Sequence, residues 1–257
     1  MLAIERRNLI LEQLQREKRV LVSELSSSFG VSEETIRRDL EKLSEEGYVQ
    51  KTYGGAVLSD ENYTEMPFVI RKKTNVAEKQ AIGKLIESLV QDGERLMLDA
   101  SSTSVYASRY LKGKNNLTII TNSVEVLIEL SDVQDFRVIS TGGTLKMGTL
   151  SLTGAQVNKA FDLYNADIAI FSCMGFDPVA GVTDSNEVNA YIKQTIMSRA
   201  KRKILAIDHT KFDKRALVRI CNLGELTHVV TDTCPSYEWL KCLEDNNIAC
   251  IYPESEV

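Results

Sequence analysis

Two groups of side chains in this 257-residue chain have the types and spacing that bind charged ligands. The first is a series of short polar stretches, each following an apolar run. These are Asp99-Ala-Ser-Ser-Thr103, Thr121-Asn-Ser123, Thr141-Gly-Gly-Thr144, Ser172-Cys-Met-Gly175 and Asp208-His-Thr-Lys211. Ser, Thr and Gly loops that open helices present backbone N–H groups to an anion such as phosphate, and Lys211 adds a cation to the same edge. Any one of these loops is equally well explained by helix capping; five at one edge carry more weight. The second group is Ser32, Thr35, Arg37 and Arg38, followed by Lys51, Thr52 and Tyr53. Donors at the start of a helix reach base edges in a major groove, and a hairpin can lay cations and hydroxyls along phosphates. The alternative for Arg37 and Arg38 is pairing with Glu33 and Glu34 at i, i+4 on a solvated face.

The elements that must position the second group are legible. Ser32 can N-cap a helix, Glu33 and Glu34 suit its first turn, and Gly47 stops it. Within it Ile36, Leu40 and Leu43 form one apolar stripe, leaving Thr35, Arg37 and Arg38 outside the core. Upstream, Ile4, Ile10, Leu11 and Leu14, then Val22, Leu25 and Phe29, recur at helical spacing, with Gly30-Val31 as the turn between two helices. Tyr48 to Tyr53, Gly54-Gly55 and Ala56 to Leu58 read as a hairpin whose paired glycines supply positive φ. The expectation is a winged helix-turn-helix domain over residues 1–58. Residues 59–74 are polar and irregular and are expected to be a linker.

From residue 75 to residue 257 the pattern changes. A helix from Glu78 to about Val90, with Ile82, Leu85, Ile86 and Leu89 inward, precedes seven apolar runs. They are Leu96–Leu98, Leu117–Ile120, Phe136–Ile139, Ile168–Phe171, Ile204–Ile207, Val229–Val230 and Ile248–Ile251. Strands alternating with helices imply a larger α/β domain with a mostly parallel sheet. In open sheets of this type ligands bind at the carboxyl ends of the strands, where the polar loops fall.

Composition narrows the partners. The net charge of −5 is no global nucleic-acid footprint, and residues 1–58 hold nine Lys/Arg against ten Asp/Glu. Attraction to DNA must come from local placement of Arg6, Arg7, Arg37, Arg38 and Lys51, so non-specific affinity is expected to be weak and salt-dependent. No signal-peptide layout or membrane-length apolar run occurs, so a cytoplasmic protein is expected. The five cysteines form no Cys-x-x-Cys pair and are expected to be free thiols. With only His209 and His228 available, no metal or cofactor is expected.

The stretch Val31-Ser32-x2-Thr35-Ile36-Arg37-Arg38-Asp39-Leu40, with Gly54-Gly55-Ala56 beyond it, resembles the signature of the DeoR family of bacterial sugar-metabolism regulators. The second domain resembles that family's effector domain, which is similar in fold to ribose-5-phosphate isomerase. The matching motifs are Asp99–Thr103, Thr121–Ser123, Gly142-Gly143, Asp208–Phe212, and Asp184–Glu187 with Lys193 after Gly181-Val-Thr183. The resemblance implies an effector-binding set of Asp99, Ser101, Ser102, Thr103, Thr121, Asn122, Ser123, Gly142, Gly143, Glu187, Lys193, Asp208 and Lys211, to which the polar loop after the fourth run adds Gly175. Ser101 stands where the family usually has glycine, which is expected to restrict the phosphate loop. The resemblance further implies a repressor of a carbohydrate-utilisation operon, released from operator DNA by a phosphorylated sugar. A homo-oligomer, dimer or tetramer, is expected, with the helix from Tyr237 to about Asn246 and the linker as candidate contacts.

The rival class is a sugar-phosphate isomerase. Its catalytic Asp-Gly-Ala-Asp-Glu segment would fall at Asp167–Phe171, where Ile170 and Phe171 replace the second aspartate and the glutamate. Proton shuttling between adjacent carbons needs a placed carboxylate, which an apolar pair cannot supply. No Gly-x4-Gly-Lys-Ser/Thr loop is present either.

Overall fold

In the computed structural model, which describes residues 1–59 and 65–253, the chain divides into two units, Met1–Thr74 and Asn75–Val257. The first begins with α1 (Ala3–Glu17), β1 (Arg19–Leu21), α2 (Val22–Phe29) and α3 (Glu33–Glu45), and continues through β2 (Val49–Thr52) and β3 (Gly55–Leu58). Ile10, Leu11, Leu14, Leu25, Ile36, Leu40 and Leu43 are all buried in one core. Ile4 is not part of that stripe: it is 61% exposed.

The wing has three strands in the order β1-β3-β2, all antiparallel. The three-residue β1 is too short to leave a period in the sequence. The two glycines of the turn do different jobs. Gly54 takes the positive φ (+82°), whereas Gly55 needs its missing Cβ because one would sit 2.0 Å from the Val20 carbonyl oxygen.

The stretch expected to be an irregular linker contains a helix, α4 (Phe68–Lys73), whose Ile70 is buried in the same core as α1 to α3. Six residues give too little periodicity to announce a helix, and its stability comes from that packing. Residues 60–64 of the expected linker lie outside the described residues, as do residues 254–257 of the second domain.

The second unit opens with α5 (Val76–Leu89), then β4 (Arg95–Leu98), α6 (Ser102–Leu111), β5 (Thr118–Thr121), α7 (Val124–Glu129) and β6 (Arg137–Ser140). A hairpin follows, β7 (Thr144–Lys146) and β8 (Ser151–Thr153), then α8 (Ala155–Asp162) and β9 (Ala166–Phe171). β10 (Gly175–Asp177) and β11 (Gly181–Asp184) lead into α9 (Glu187–Ser198) and β12 (Ala200–Ala206). The chain ends with β13 (Val218–Cys221), β14 (His228–Val230), α10 (Tyr237–Asp245) and β15 (Ala249–Ile251).

The main sheet has seven strands, all parallel, in the order β15-β14-β12-β9-β4-β5-β6. Each of the seven apolar runs supplies one of them. The chain builds outward from β4 through β5 to β6, then returns to β9 on the other side and continues through β12 to β15. The direction of winding therefore reverses between β4 and β9, and a crevice at the carboxyl ends opens at such a switch point. Two features had no apolar run to announce them: the β7-β8 hairpin and an antiparallel sheet ordered β10-β11-β13. The three- and four-residue strands β7, β8, β10 and β11 are polar or glycine-bearing, and in β13 (Val-Arg-Ile-Cys) an arginine interrupts the apolar residues.

No helix among the described residues is long and apolar enough to cross a membrane. The five cysteines are free thiols.

Candidate functional site

In the first unit, Ser32 caps α3 by accepting a hydrogen bond from the Thr35 N–H at 3.2 Å, and the two hydroxyls lie 2.9 Å apart. Arg37 and Arg38 are exposed on the same helix, each paired with the glutamate four residues earlier: Arg37 with Glu33 at 2.5 Å, Arg38 with Glu34 at 3.3 Å. Lys51 on β2 likewise holds Glu41, while Thr52 is exposed and Tyr53 at the wing tip is fully so. Exposed i, i+4 pairs stabilise a helix by only about 0.3–0.5 kcal/mol, against roughly 1–3 kcal/mol for a good base contact. Pairs this weak leave both guanidinium groups able to exchange partners. Arg6 is different. It is buried against Asp39, so it fastens α1 to α3 and is unavailable to a phosphate.

In the second unit the switch point is occupied by Asp99, 1% exposed, one residue beyond β4. Its Oδ1 accepts hydrogen bonds from the Ser101 N–H (3.1 Å), the Ser101 hydroxyl (2.6 Å) and the Ser104 hydroxyl (2.6 Å). Its Oδ2 accepts one from the Ser172 N–H across the switch point (3.2 Å) and lies 3.5 Å from Lys193 Nζ. Both oxygens are thus engaged, and Asp99 ties the start of α6 to the loop after β9. Ser101, expected to constrain this loop, sits at φ −75° as the N-cap of α6, a conformation any residue adopts. No glycine is needed there, and the serine hydroxyl gives Asp99 a partner that glycine would not.

The unpaired donors at this edge belong to Ser102 and Thr103. They are the first two residues of α6, 5% and 4% exposed, and neither side chain has a hydrogen bond among the described residues. Their N–H groups are among those a helix start cannot pair internally, and the helix dipole adds positive potential there.

Around them the charges are arranged in two layers. Lys193 of α9 is buried and bonds Asp184 as well as Asp99. Burial works against its charge, but the two carboxylates win and hold its pKa above the ordinary lysine value. Asp184 is correspondingly low: burial opposes its ionisation and Lys193 outweighs that. Cys173 lies in the same field, and burial pushes its thiol up to about 12, so it stays protonated. The outer layer is Asp208, which accepts from the N–H and hydroxyl of Thr210. Burial raises its pKa, and the charges of Lys211 and Lys79 with the Thr210 bonds bring it net below the ordinary value. Lys211 forms no salt bridge among the described residues. Its loop is pinned by Phe212, whose ring packs edge-on against Trp239 (5.0 Å) and Phe176 (5.4 Å).

On the other side, Thr121 donates its hydroxyl to the Leu98 carbonyl (2.9 Å), and Ser123 caps α7. Asn122 is clasped to β8 by two hydrogen bonds with Leu152. Gly142 and Gly143 both have positive φ, and a Cβ on Gly143 would meet the Thr153 carbonyl at 2.7 Å. Asp99, Ser101 to Thr103, Thr121 to Ser123, Lys193, Asp208 and Lys211 therefore share the carboxyl edge of β5, β4, β9 and β12. Glu187 and Gly175 are not drawn in by any hydrogen bond. Glu187 is exposed at the start of α9, and Gly175 starts β10, where its missing Cβ makes room for the Lys214 carbonyl. Ser104, which bonds Asp99, and Lys79, whose charge acts on Asp208, join this group without having been expected, whereas Asp184 fell in the family-like stretch Asp184–Glu187. Lys79 comes from α5, twenty residues upstream of Asp99, with no motif to mark it.

The stretch Asp167–Phe171 is strand β9 itself. Asp167 lies at its amino end, bound by Arg95 and Lys201, on the opposite edge of the sheet from the site, and Ile170 and Phe171 are buried within it. The residues that reach the ligand edge are Ser172, Cys173 and Met174, one loop further on, and they carry no carboxylate either.

The family model described as DeoR C terminal sensor domain matches residues 74–233, and that of the DeoR-like helix-turn-helix domain matches residues 6–62. The chain is similar to YulB of Bacillus subtilis, described as an uncharacterized HTH-type transcriptional regulator, at 39% identity over 96% of both chains. It is 34% identical to the HTH-type transcriptional regulator GolR of Listeria innocua, over 90% of this chain and 91% of that one. To the HTH-type transcriptional repressor GlcR of Bacillus subtilis it is 30% identical, over 98% and 97%. A ribose 5-phosphate isomerase from Methanocaldococcus jannaschii aligns over 52% of this chain and 53% of that one, at 15% identity and a TM-score of 0.38, a likeness that carries no functional weight. Both domain matches and relatives aligned end to end agree: the chain belongs to the DeoR family of DNA-binding transcriptional regulators.

Proposed function

We propose that this regulator is a repressor of a carbohydrate-utilisation operon, released from its operator when a phosphorylated sugar binds the carboxyl edge of the parallel sheet. The observation that carries this reading is the pairing state at that edge. Lys193 is taken up by Asp99 and Asp184, whereas the Ser102 and Thr103 side chains have no hydrogen bond and Lys211 has no salt bridge among the described residues. Two helix-start N–H groups, two hydroxyls and a cation suit a phosphate dianion. On the DNA side, Thr35, Arg37 and Arg38 read the major groove, with Lys51, Thr52 and Tyr53 along the backbone.

One such domain, with exposed cations already sharing glutamates, reaches operator-grade affinity best when two or more are held together. A homo-oligomer on repeated half-sites, acting in the cytoplasm, follows. The test is a thermal-shift panel of hexose, pentose and triol phosphates against the unphosphorylated parents, followed by DNA release measured with each hit. Stabilisation by the parent sugars only would refute the phosphate site. Sedimentation as a monomer that binds a single half-site tightly would refute the assembly.

A further inference from the structure

Asn122 is 3% exposed, and its side-chain amide is used unevenly. The Nδ2 donates to the Leu152 carbonyl at 3.0 Å, which orients the group, while the buried Oδ1 has no hydrogen-bond partner among the described residues. Leaving such an acceptor unpaired costs about 1–3 kcal/mol, so a buried orphan next to a ligand edge points to a donor that arrives from outside. Asn122 stands at that edge. Thr121 pairs with Leu98 across β5 and β4, so Asn122 and Asp99 are the residues just beyond the ends of neighbouring strands, which run ~4.8 Å apart.

From this, and resting on the effector reading above, we infer that Asn122 Oδ1 accepts a hydrogen bond from a hydroxyl of the effector, so that the site requires a phosphorylated polyol and sets its direction. The chemistry of the two ends is opposite. The dianion of a phosphate monoester has only acceptor oxygens and is repelled by another acceptor, so it cannot satisfy Oδ1. A carbon-bound hydroxyl can. At the start of α6 and at Lys211 every unpaired group is a donor or can act as one, which suits the phosphate and not an acceptor-poor group. The effector therefore lies with its phosphate toward Ser102, Thr103 and Lys211 and a hydroxyl at Asn122.

The experiment is calorimetric titration of wild type and Asn122→Ala with inorganic phosphate and with glucose 6-phosphate, fructose 6-phosphate, ribose 5-phosphate and glycerol 3-phosphate. Expected is a wild-type preference for at least one ester over inorganic phosphate that falls ~10-fold in Asn122→Ala, while the affinity for inorganic phosphate changes less than about twofold. In parallel, deoxy analogues of the best ester titrated into wild type should include one that loses the same preference, a measurement that does not depend on the variant folding. Unchanged preference in the variant together with equal binding of every deoxy analogue would overturn the Asn122 assignment and leave a buried water as the partner of Oδ1. Failure of every phosphate to bind wild type would instead overturn the effector site, and with it this inference.

Discussion

Lys193 Nζ lies 3.5 Å from Asp99 Oδ2 while also bonding Asp184, so α9 inserts its ammonium beneath the loop that follows β4. A lysine expected to meet the effector is instead consumed inside the fold. The consequence is a difference between lysines: Lys193 is held by two buried aspartates, whereas Lys211 forms no salt bridge among the described residues.

Removing one member of a buried ion cluster leaves the others uncompensated, at about 3–5 kcal/mol. Lys193→Met should lose that much in urea unfolding. The pH dependence follows from the shifts. Asp184 is depressed, so its contribution is present above the ordinary carboxylate range near 3.8 and is lost as pH falls through its lower native value. Lys193 is raised, so its contribution is present below the ordinary lysine value near 10.5 and is lost only as pH rises through its higher native one. Wild-type stability from this cluster should be flat across neutral pH. A fall between pH 5 and 8 attributable to the cluster, measured as the difference from Lys193→Met, would contradict the assignment.

At the DNA interface, Arg38→Ala should weaken operator binding by about 1–3 kcal/mol without lowering the melting temperature. Glu33→Gln and Glu34→Gln should act in the opposite sense, tightening binding about twofold each, because each frees an arginine from a pair worth only ~0.3–0.5 kcal/mol. Fluorescence anisotropy at fixed salt reads both. Equal affinities across all three variants would remove α3 from the interface.

Asp39→Ala addresses the buried pair with Arg6. Loss of about 3–5 kcal/mol is expected, confined to the DNA-binding unit, because the partner guanidinium is left buried and unpaired. Hydrogen exchange should show opening of residues in α1 and α3 with the seven-stranded sheet unaffected. Protection unchanged in α1 would mean the pair is structurally idle.

For the effector response, Lys211→Ala should strongly reduce affinity for a phosphorylated sugar and Ser102→Ala modestly. Operator affinity in the absence of effector should stay within about twofold of wild type. Since a ligand shifts an equilibrium only through differential affinity, the Lys211 variant should remain on DNA at effector concentrations that release the wild type. A wild-type release curve for Lys211→Ala would rule out this lysine as the phosphate partner.

His209 lies between Asp208 and Lys211, and its Nδ1 is held 2.7 Å from Asp232 Oδ2. The bond to Asp232 raises its pKa above 6.5, against a smaller opposing effect of burial, with the charges of Asp232, Asp208 and Glu78 adding to the rise. The imidazolium is therefore favoured beyond its ordinary range and lost as pH rises past the native value. NMR titration should place the His209 midpoint above 6.5, and Asp232→Asn should bring it down. Identical midpoints in the two proteins would show that the pair does not form in solution.

Much of the fold could be read directly. The seven apolar runs became seven parallel strands because a sheet covered on both faces demands continuous hydrophobic segments, and Ser32, Gly30 and Gly47 marked helix ends because capping is local chemistry. The β7-β8 hairpin, β1 and α4 left no such trace, since elements of three to six residues owe their stability to what they pack on. Ser101 shows the limit of motif reasoning: a residue that departs from a pattern is strained only if the backbone needs positive φ, and here it does not.

By itself the sequence determined helix α3 and its Ser32 cap, the alternation of strands and helices, and the presence of small polar residues at one edge of the sheet. Each follows from interactions between residues a few positions apart. Tertiary structure decided which of those residues are spent. Whether Arg6 meets DNA or Asp39, whether Lys193 meets a ligand or two aspartates, and which oxygen of Asn122 is left unpaired all depend on contacts between residues 9 to 94 positions apart. Burial then fixes the outcome, because a charge or polar atom removed from water must take the nearest partner that the packing supplies.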